Sequence, residues 1–244
     1  MMSVSHRNLI FDAIHDLSSA ASLPEIGARF AAVTAKLGFN ALGINGLPPA
    51  AEHADPVILT EITPNTFRDC YIHERFYAVD HLAAYARTTH RPFRFGDAPY
   101  AQKDRRRHER FMQALAIYQM GKGAVVPFRW SASIPACVWL AGGNPELHDD
   151  AMLSIQLISL FAASKAQALS GTGQGAAPPG FLTKREREVL AWAAQGKSAW
   201  ETGEILGISK RTVDEHAQVA CRKLKAVNRT QAVALALQSK FITL

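Results

Sequence analysis

The sequence predicts an α+β chain in two parts: an N-terminal α-β-α sandwich over residues 1–169 and an all-α unit of four helices over residues 181–244. Three observations predict it. Helical and strand-like apolar patterns alternate through the first part. The tract Ser170-Gly-Thr-Gly-Gln-Gly-Ala-Ala-Pro-Pro-Gly180 has no apolar periodicity and reads as a flexible linker over residues 170–180. Beyond it, four helix-start signals crowd into about fifty residues, which leaves room only for short helices and tight turns.

Taken in order, Ser5 to Ser18 is an amphipathic helix, and Leu23-Pro24-Glu25 opens a second that runs to about Leu37 and ends at Gly38. Phe39 to Ile44 and Pro56 to Thr60 read as strands. Asn65 to Tyr77 starts a helix rich in aromatics, Asp80 to Thr88 a short one, and Pro99 to Tyr118 a longer one. Ala124 to Arg129 and Ala136 to Leu140 pair as a hairpin, and Asp149 to Leu169 is a long final helix, expected to hold a dimer through Ile155, Leu157, Ile158 and Phe161 partly exposed on it. Helices outside an antiparallel sheet can enclose a small molecule between the layers. Between residues 63 and 95 lie Phe67, Tyr71, Phe76, Tyr77, Asp80, Tyr85, Phe93 and Phe95. Core packing explains most of the aromatics. Asp80 has two readings, because a carboxylate at the foot of an aromatic cluster needs a donor: it accepts from a ligand amide N–H, or it caps a helix.

In the second part, Thr183-Lys-Arg-Glu186, Ser198-Ala-Trp-Glu201 and Asn228-Arg-Thr-Gln231 each set a capping side chain three residues before Glu or Gln. Ser209, after Gly207-Ile208, offers a fourth N-cap. The helix it opens, Lys210 to about Lys225, carries Val213, Ala217, Ala220 and Leu224 on one stripe. Arg211, Glu215, Gln218 and Arg222 lie opposite, with Asp214 flanking. An ordinary solvated face has the same pattern, but the preceding short helix Ala199 to Leu206 and the Gly207-Ile208-Ser209 turn make this a recognition helix, able to reach base edges and phosphates. The acidic pair is the oddity. Either Glu215 pairs with Arg211 one turn back, or Asp214 accepts from a cytosine N4.

Charge follows the same division. Residues 181–244 hold 11 Lys/Arg and 6 Asp/Glu, residues 1–180 hold 16 and 15, and the whole chain carries +6. The excess sits where phosphate neutralisation needs it. Lys103 to Arg110 is a second basic run, but Asp104 and Glu109 interrupt it and it reads as a solvated helix face. Cys70, Cys137 and Cys221 are odd in number and lack metal-ligand spacing, as do the histidines, so the expectation is reduced thiols and no metal. No apolar run approaches the length of a membrane span and no signal-peptide core is visible, which predicts a cytoplasmic protein.

Leu182-Thr-Lys-Arg-Glu-Arg-Glu-Val-Leu190, Trp192, Gly196-Lys197, Glu204-Ile-Leu-Gly-Ile-Ser209, Arg211-Thr-Val213, His216, Lys223-Leu224 and Asn228-Arg-Thr-Gln-Ala-Val233 resemble the LuxR-type DNA-binding domain almost without a gap. The family's most constant positions would be Glu186, Leu190 and Gly196. The resemblance implies DNA contact by Ser209, Lys210, Arg211, Thr212, Asp214, Glu215, Gln218 and Arg222.

Thr63-Pro-Asn-Thr-Phe67, Tyr71, Asp80 and Pro92-Phe93-Arg94-Phe95 resemble the autoinducer-binding domain of quorum-sensing LuxR-type regulators, and Gly121 and the hairpin to Trp139 extend the match. It implies that Asp80 binds the amide N–H of an N-acyl-homoserine lactone, with Thr63, Phe67, Tyr71, Phe95 and Trp139 around the ligand. Four of these depart from the family pattern. Phe67 stands where a Trp usually donates to the lactone carbonyl, Thr63 where a Tyr contacts the acyl carbonyl, Phe95 for a second Trp, and Trp139 for a small Ser or Thr. The ligand expected is therefore a short, branched or aromatic acyl lactone, or another amide signal.

The function expected is a homodimeric, ligand-responsive activator of transcription on a palindromic operator, with RNA polymerase as a further partner and no cofactor. The alternative is a ligand-independent regulator or inhibitory dimerisation partner whose pocket is filled. An enzyme is not expected: the chain has no Gly-x-Ser-x-Gly elbow, metal-binding His motif or phosphate loop. A phosphorylated response regulator would need an early acidic pair and an acceptor Asp at a strand end, which residues 1–120 do not show.

Overall fold

Successive residues of a strand face opposite ways, and in the first part of the chain that alternation separates a packing face from a cavity face. The structure is a computed structural model that describes residues 4–47, 57–64, 66–131, 134–170, 182–238 and 241–242. Its strands are β1 (Ala41–Gly46), β2 (Val57–Ile62), β3 (Phe93–Arg94), β4 (Lys122–Ser131) and β5 (Ile134–Gly142). They make one antiparallel sheet in the order β2-β1-β5-β4-β3. Leu42, Ile44, Ala124, Val126, Val138 and Leu140 are buried with α1 (Val4–Ser18), α2 (Leu23–Ala35) and α6 (Asp149–Leu169). Ala41, Val125, Cys137 and Ala141 face the other way, among residues of α3 (Phe67–His73), α4 (His81–Ala86) and α5 (Arg105–Ile117). Helices on both faces of the sheet make the expected α-β-α sandwich.

Several boundaries moved. The aromatic helix expected over residues 65–77 stops at His73; Arg75 turns left-handed (φ 55°), and Phe76–Ala78 follows as a separate 3-10 turn. The break lets Phe76 and Tyr71 both meet Phe111, at ring-centroid distances of 5.3 and 6.0 Å. The helix expected over residues 99–118 opens with a 3-10 turn and is α-helical only from Arg105. The short β3 had no signal in the sequence.

α6 spans the predicted residues, but its exposed side was misjudged. Ile155 and Ile158, expected on a partly exposed face with Leu157 and Phe161, are fully buried against the sheet. Leu153, Leu157 and Leu160 are the exposed ones, at 43, 42 and 38%. Their spacing places them on one helix face. By length and composition α6 could cross a membrane, contrary to the reading of no such run, yet Ala151, Ile155, Ile158, Ala162 and Ala166 make it a core helix of the sandwich.

The last part holds α7 (Lys184–Ala194), α8 (Ala199–Leu206), α9 (Lys210–Leu224) and α10 (Arg229–Gln238). Thr183 with Glu186 and Ser198 with Glu201 form complete capping boxes. At α10 Asn228 accepts from Gln231 N at 2.8 Å, while Gln231 reaches one residue further back, to Val227 N at 2.7 Å. Each such cap is worth about 1 kcal/mol. Gly196, with φ 81°, makes the turn after α7 in a conformation other residues adopt at a cost. Glu186 is buried and takes the Lys223 ammonium at 2.8 and 3.0 Å, fastening α7 to α9. Trp130, Ile134 and Ala136 share an apolar cluster with Leu182, Leu190, Leu224 and Ala236. Apart from Ser170, the linker expected over residues 170–180 lies outside the described residues.

Candidate functional site

Between the sheet and α3–α5 lies a cavity of about 460 Å³, within the usual range for small-molecule sites. Phe67, Tyr71, Asp80, Phe95 and Trp139 line it. Thr63 does not: it is half-buried and its hydroxyl donates to Glu61 at 3.3 Å. The structure thus does not place Thr63 on the cavity wall as expected; its hydroxyl is engaged by Glu61, which does line the wall.

Asp80 does both things its two readings asked. Its Oδ1 accepts from Ala83 N at 2.9 Å as the N-cap of α4, and its Oδ2 accepts from the Tyr71 hydroxyl at 2.8 Å. A carboxylate has about four acceptor directions, so these two bonds fix it and leave capacity for a donor from the cavity. Burial and then the Asp80 charge raise the Tyr71 phenol well above its ordinary value, so it stays a donor to Asp80. Cys137, also on the wall, is pushed up to about 12 by burial and by Asp80, and remains a thiol. Phe67 packs on Tyr118 and Tyr71, and neither Phe67 nor Phe95 can donate a hydrogen bond.

Apart from Trp139, sequence reasoning missed the sheet side of this cavity. Asn45, Ile58, Glu61 and Cys137 all line it. They come from three strands far apart in sequence, and only the register joins them: Asn45 faces Ile58 on one side and Cys137 on the other, and Gly43 lies between Glu61 and Trp139. Burial raises the Glu61 carboxyl above its usual range. The alternation of β1 was the one available signal, since it puts Gly43 and Asn45 on the face opposite Leu42 and Ile44.

The second candidate site is the outer face of α9. Val213, Ala217, Ala220 and Leu224 are buried as expected. Lys210, Arg211, Glu215, Gln218 and Arg222 are exposed, with Thr212 and Asp214 half-buried among them. Ser209 caps the helix by accepting from Thr212 N at 3.1 Å. Arg211 Nε donates to Glu215 at 3.0 Å, which selects the first of the two readings of the acidic pair for the molecule without DNA. Partial neutralisation within the helix reduces the repulsion of phosphate by Glu215.

Two other clusters lie largely outside both sites. In the basic run of α5, Arg105 pairs with Glu109 and Arg110 with Glu74, at 2.8 and 2.6 Å, while Arg107 lines the cavity. His6, Glu146 and His148 come together although their spacing gave no hint: Glu146 Oε2 lies 3.7 Å from His6 Nε2 and 3.3 Å from His148 Nε2. His148 Nδ1 caps α6 by accepting from Ala151 N at 3.4 Å. A neutral imidazole accepts at one nitrogen only, so this cap leaves Nε2 a donor to Glu146 and not a metal ligand.

Comparison with known proteins matches both sites to families. Residues 22–166 match the autoinducer binding domain, and residues 181–236 match the luxR family of bacterial regulatory proteins. The chain is 38% identical to the HTH-type quorum sensing-dependent transcriptional regulator RpaR of Rhodopseudomonas palustris, over 91% of this chain and 90% of that protein. It is 31% identical to the transcriptional activator protein BjaR1 of Bradyrhizobium diazoefficiens, over 99% of each. In fold it is similar to SdiA in complex with octanoyl-rac-glycerol, with a TM-score of 0.60 at 17% identity, covering 98% of this chain and 97% of that one.

Proposed function

The chain belongs to the LuxR family of quorum-sensing transcriptional regulators, with an autoinducer-binding domain and a LuxR-type helix-turn-helix domain, and from that premise we propose that its signal is an N-acyl-homoserine lactone with a compact acyl group. Members of this family are transcriptional regulators and not enzymes. The observation that carries the ligand reading is Asp80: a carboxylate inside an aromatic-lined cavity, held by Tyr71 and Ala83 N, with an acceptor direction to spare. A ligand amide N–H supplies the missing donor, and a hydrogen bond to a charged acceptor is worth roughly 1.5–3 kcal/mol. The alternative of a filled pocket is less well supported, because about 460 Å³ remains open beside Trp139.

In this reading the ligand-bound protein is a cytoplasmic homodimer that activates transcription from a palindromic site and engages RNA polymerase there. One small helix-turn-helix unit binds weakly, and a two-fold pair fixes half-site spacing. The exposed stripe Leu153, Leu157 and Leu160 on α6 supplies an apolar face for the pairing. Asp80, Tyr71, Phe67, Phe95 and Trp139 contact the lactone, and the outer face of α9 reads the DNA.

The test is a reporter under a promoter the full chain binds, assayed with straight, branched and aromatic acyl-homoserine lactones. Dose-dependent activation by compact members is the expected result. Equal output with and without every lactone would leave the ligand-independent regulator standing.

A further inference from the structure

Asn45 sets a carboxamide, nine-tenths buried, on the sheet floor of the cavity between Ile58 of β2 and Cys137 of β5. A buried amide is costly there unless its hydrogen bonds are met, and the surroundings fix which way it faces. Its Oδ1 accepts from Trp139 Nε1 at 3.0 Å, and its Nδ2 donates to Ile44 O at 3.0 Å. A carboxamide has two N–H groups. Among the described residues only Ile44 O accepts from Nδ2, so one hydrogen is left for whatever fills the cavity. Trp139 in turn lies across Gly43, where a Cβ would stand 2.5 Å from the indole Nε1. Any side chain at position 43 would displace the ring.

We infer that Asn45 is a ligand-contacting specificity residue: its second amide N–H donates to a carbonyl oxygen of the ligand, and its Oδ1 fixes the Trp139 indole as the wall that limits the acyl group. This rests on the acyl-homoserine lactone reading, since such a ligand brings one amide N–H for Asp80 and carbonyl oxygens that need donors. Few buried donors remain for them. Phe67 and Phe95 have none, Thr63 is turned to Glu61, the Tyr71 proton goes to Asp80 and the Trp139 proton to Asn45. The lining arginines 68, 87 and 107 are charged and lie exposed or half-buried at the cavity's solvent edge, unlike the buried, neutral Asn45. Asn45 is cross-strand to Cys137, and it lines the same cavity as Asp80.

The experiment measures half-maximal reporter response of the full chain to straight-chain acyl-homoserine lactones from butanoyl to dodecanoyl, with branched and aromatic members added. Asn45→Leu keeps the bulk and removes both hydrogen bonds; it should raise the half-maximal concentration about tenfold and broaden the acyl preference. Trp139→Phe removes the wall and the clamp but leaves the Asn45 donor. It should move the preference toward longer chains with little loss of potency for them. Melting curves establish that each variant folds, and Asn45→Ala replaces Asn45→Leu if the latter does not. Folded variants that match wild type in potency and acyl preference overturn the role of Asn45 and leave the lactone reading intact. A wild type that answers no lactone overturns that reading, and the Asn45 assignment with it.

Discussion

The reading face of α9 and the cavity beside the sheet differ in how many parts of the chain each requires. α9 presents Arg211, Glu215, Gln218 and Arg222 from a single helix, on a scaffold capped by Ser209 and seated by four buried residues of its own. The cavity draws its lining from β1, β2, α3, α4, α5, β4 and β5, and its polar groups come in pairs: Tyr71 with Asp80, Asn45 with Trp139. Side chains exposed on one helix act nearly independently, whereas groups sharing a hydrogen bond in a buried site do not. Substitutions of Arg211, Gln218 and Arg222 on α9 should therefore subtract separately, and those in the cavity should interact.

The largest effect is expected where the helical part departs from that pattern and depends on a distant pair. Glu186→Ala leaves the Lys223 ammonium nearly buried without its carboxylate, a loss of about 3–5 kcal/mol. Arg185→Ala breaks an exposed pair with Glu188 instead and should cost under about 1 kcal/mol. Denaturant unfolding of the full chain compares the two, and equal losses would mean that Glu186 is not the fastening between α7 and α9.

Next comes the cavity. Asp80→Ala should cost about ten- to a hundredfold in ligand response. Tyr71→Phe should cost less, and the double variant little more than Asp80→Ala alone, because the phenol acts through the carboxylate. Strict additivity in the reporter dose curves would separate the two residues. On α9, Arg211→Ala and Arg222→Ala should each weaken DNA binding by about 1–3 kcal/mol or less and flatten its dependence on salt. Gln218→Ala should mainly relax sequence choice. Titration of labelled duplexes at several ionic strengths reads both, and strong interaction between these sites would contradict the picture of independent contacts.

The smallest effect is one of pH. Burial holds His81 and His108 below the usual imidazole value, and His108 lowers His81 further. Their Nδ1 atoms are 3.3 Å apart. The unfolded chain takes up protons near pH 6.5 that the folded chain resists, so stability present above about pH 6.5 is lost as pH falls toward the folded values. His108→Phe keeps a ring against Tyr100, on which His108 stacks at 3.8 Å, and removes one titrating group. Melting temperatures measured from about pH 7.5 down to 5.5 should then fall less than in wild type.

How much could be read before folding follows the same contrast. The helices of residues 181–244 are bounded by caps that act over three residues, and α8 and α9 lie within a residue of where Ser198, Gly207 and Ser209 put them. In the sandwich, Asp149–Leu169 was legible as a helix, but which leucines it exposes depends on how it lies on the sheet. Asp80, Tyr71, Phe67, Phe95 and Trp139 were legible as a group through resemblance to a family pattern. Asn45 was not, because its role depends on a register that sets it beside Cys137 and within reach of Trp139. Thr63 was not legible for a similar reason: Glu61, two residues away, lines the cavity in its stead and holds the Thr63 hydroxyl. Arg75 broke the aromatic helix through a left-handed turn that no glycine or asparagine announced.

The central claim is that the cavity holds an amide-bearing lactone on the Asp80 carboxylate. The most direct measurement purifies full-length wild type and Asp80→Ala from cells supplied with a mixture of acyl-homoserine lactones, then identifies extracted small molecules by mass spectrometry. Wild type should retain one or a few compact lactones near one per chain, and Asp80→Ala should retain little or none while remaining folded. Equal retention by both proteins, or retention of the longest chains in preference to the compact ones, would contradict it.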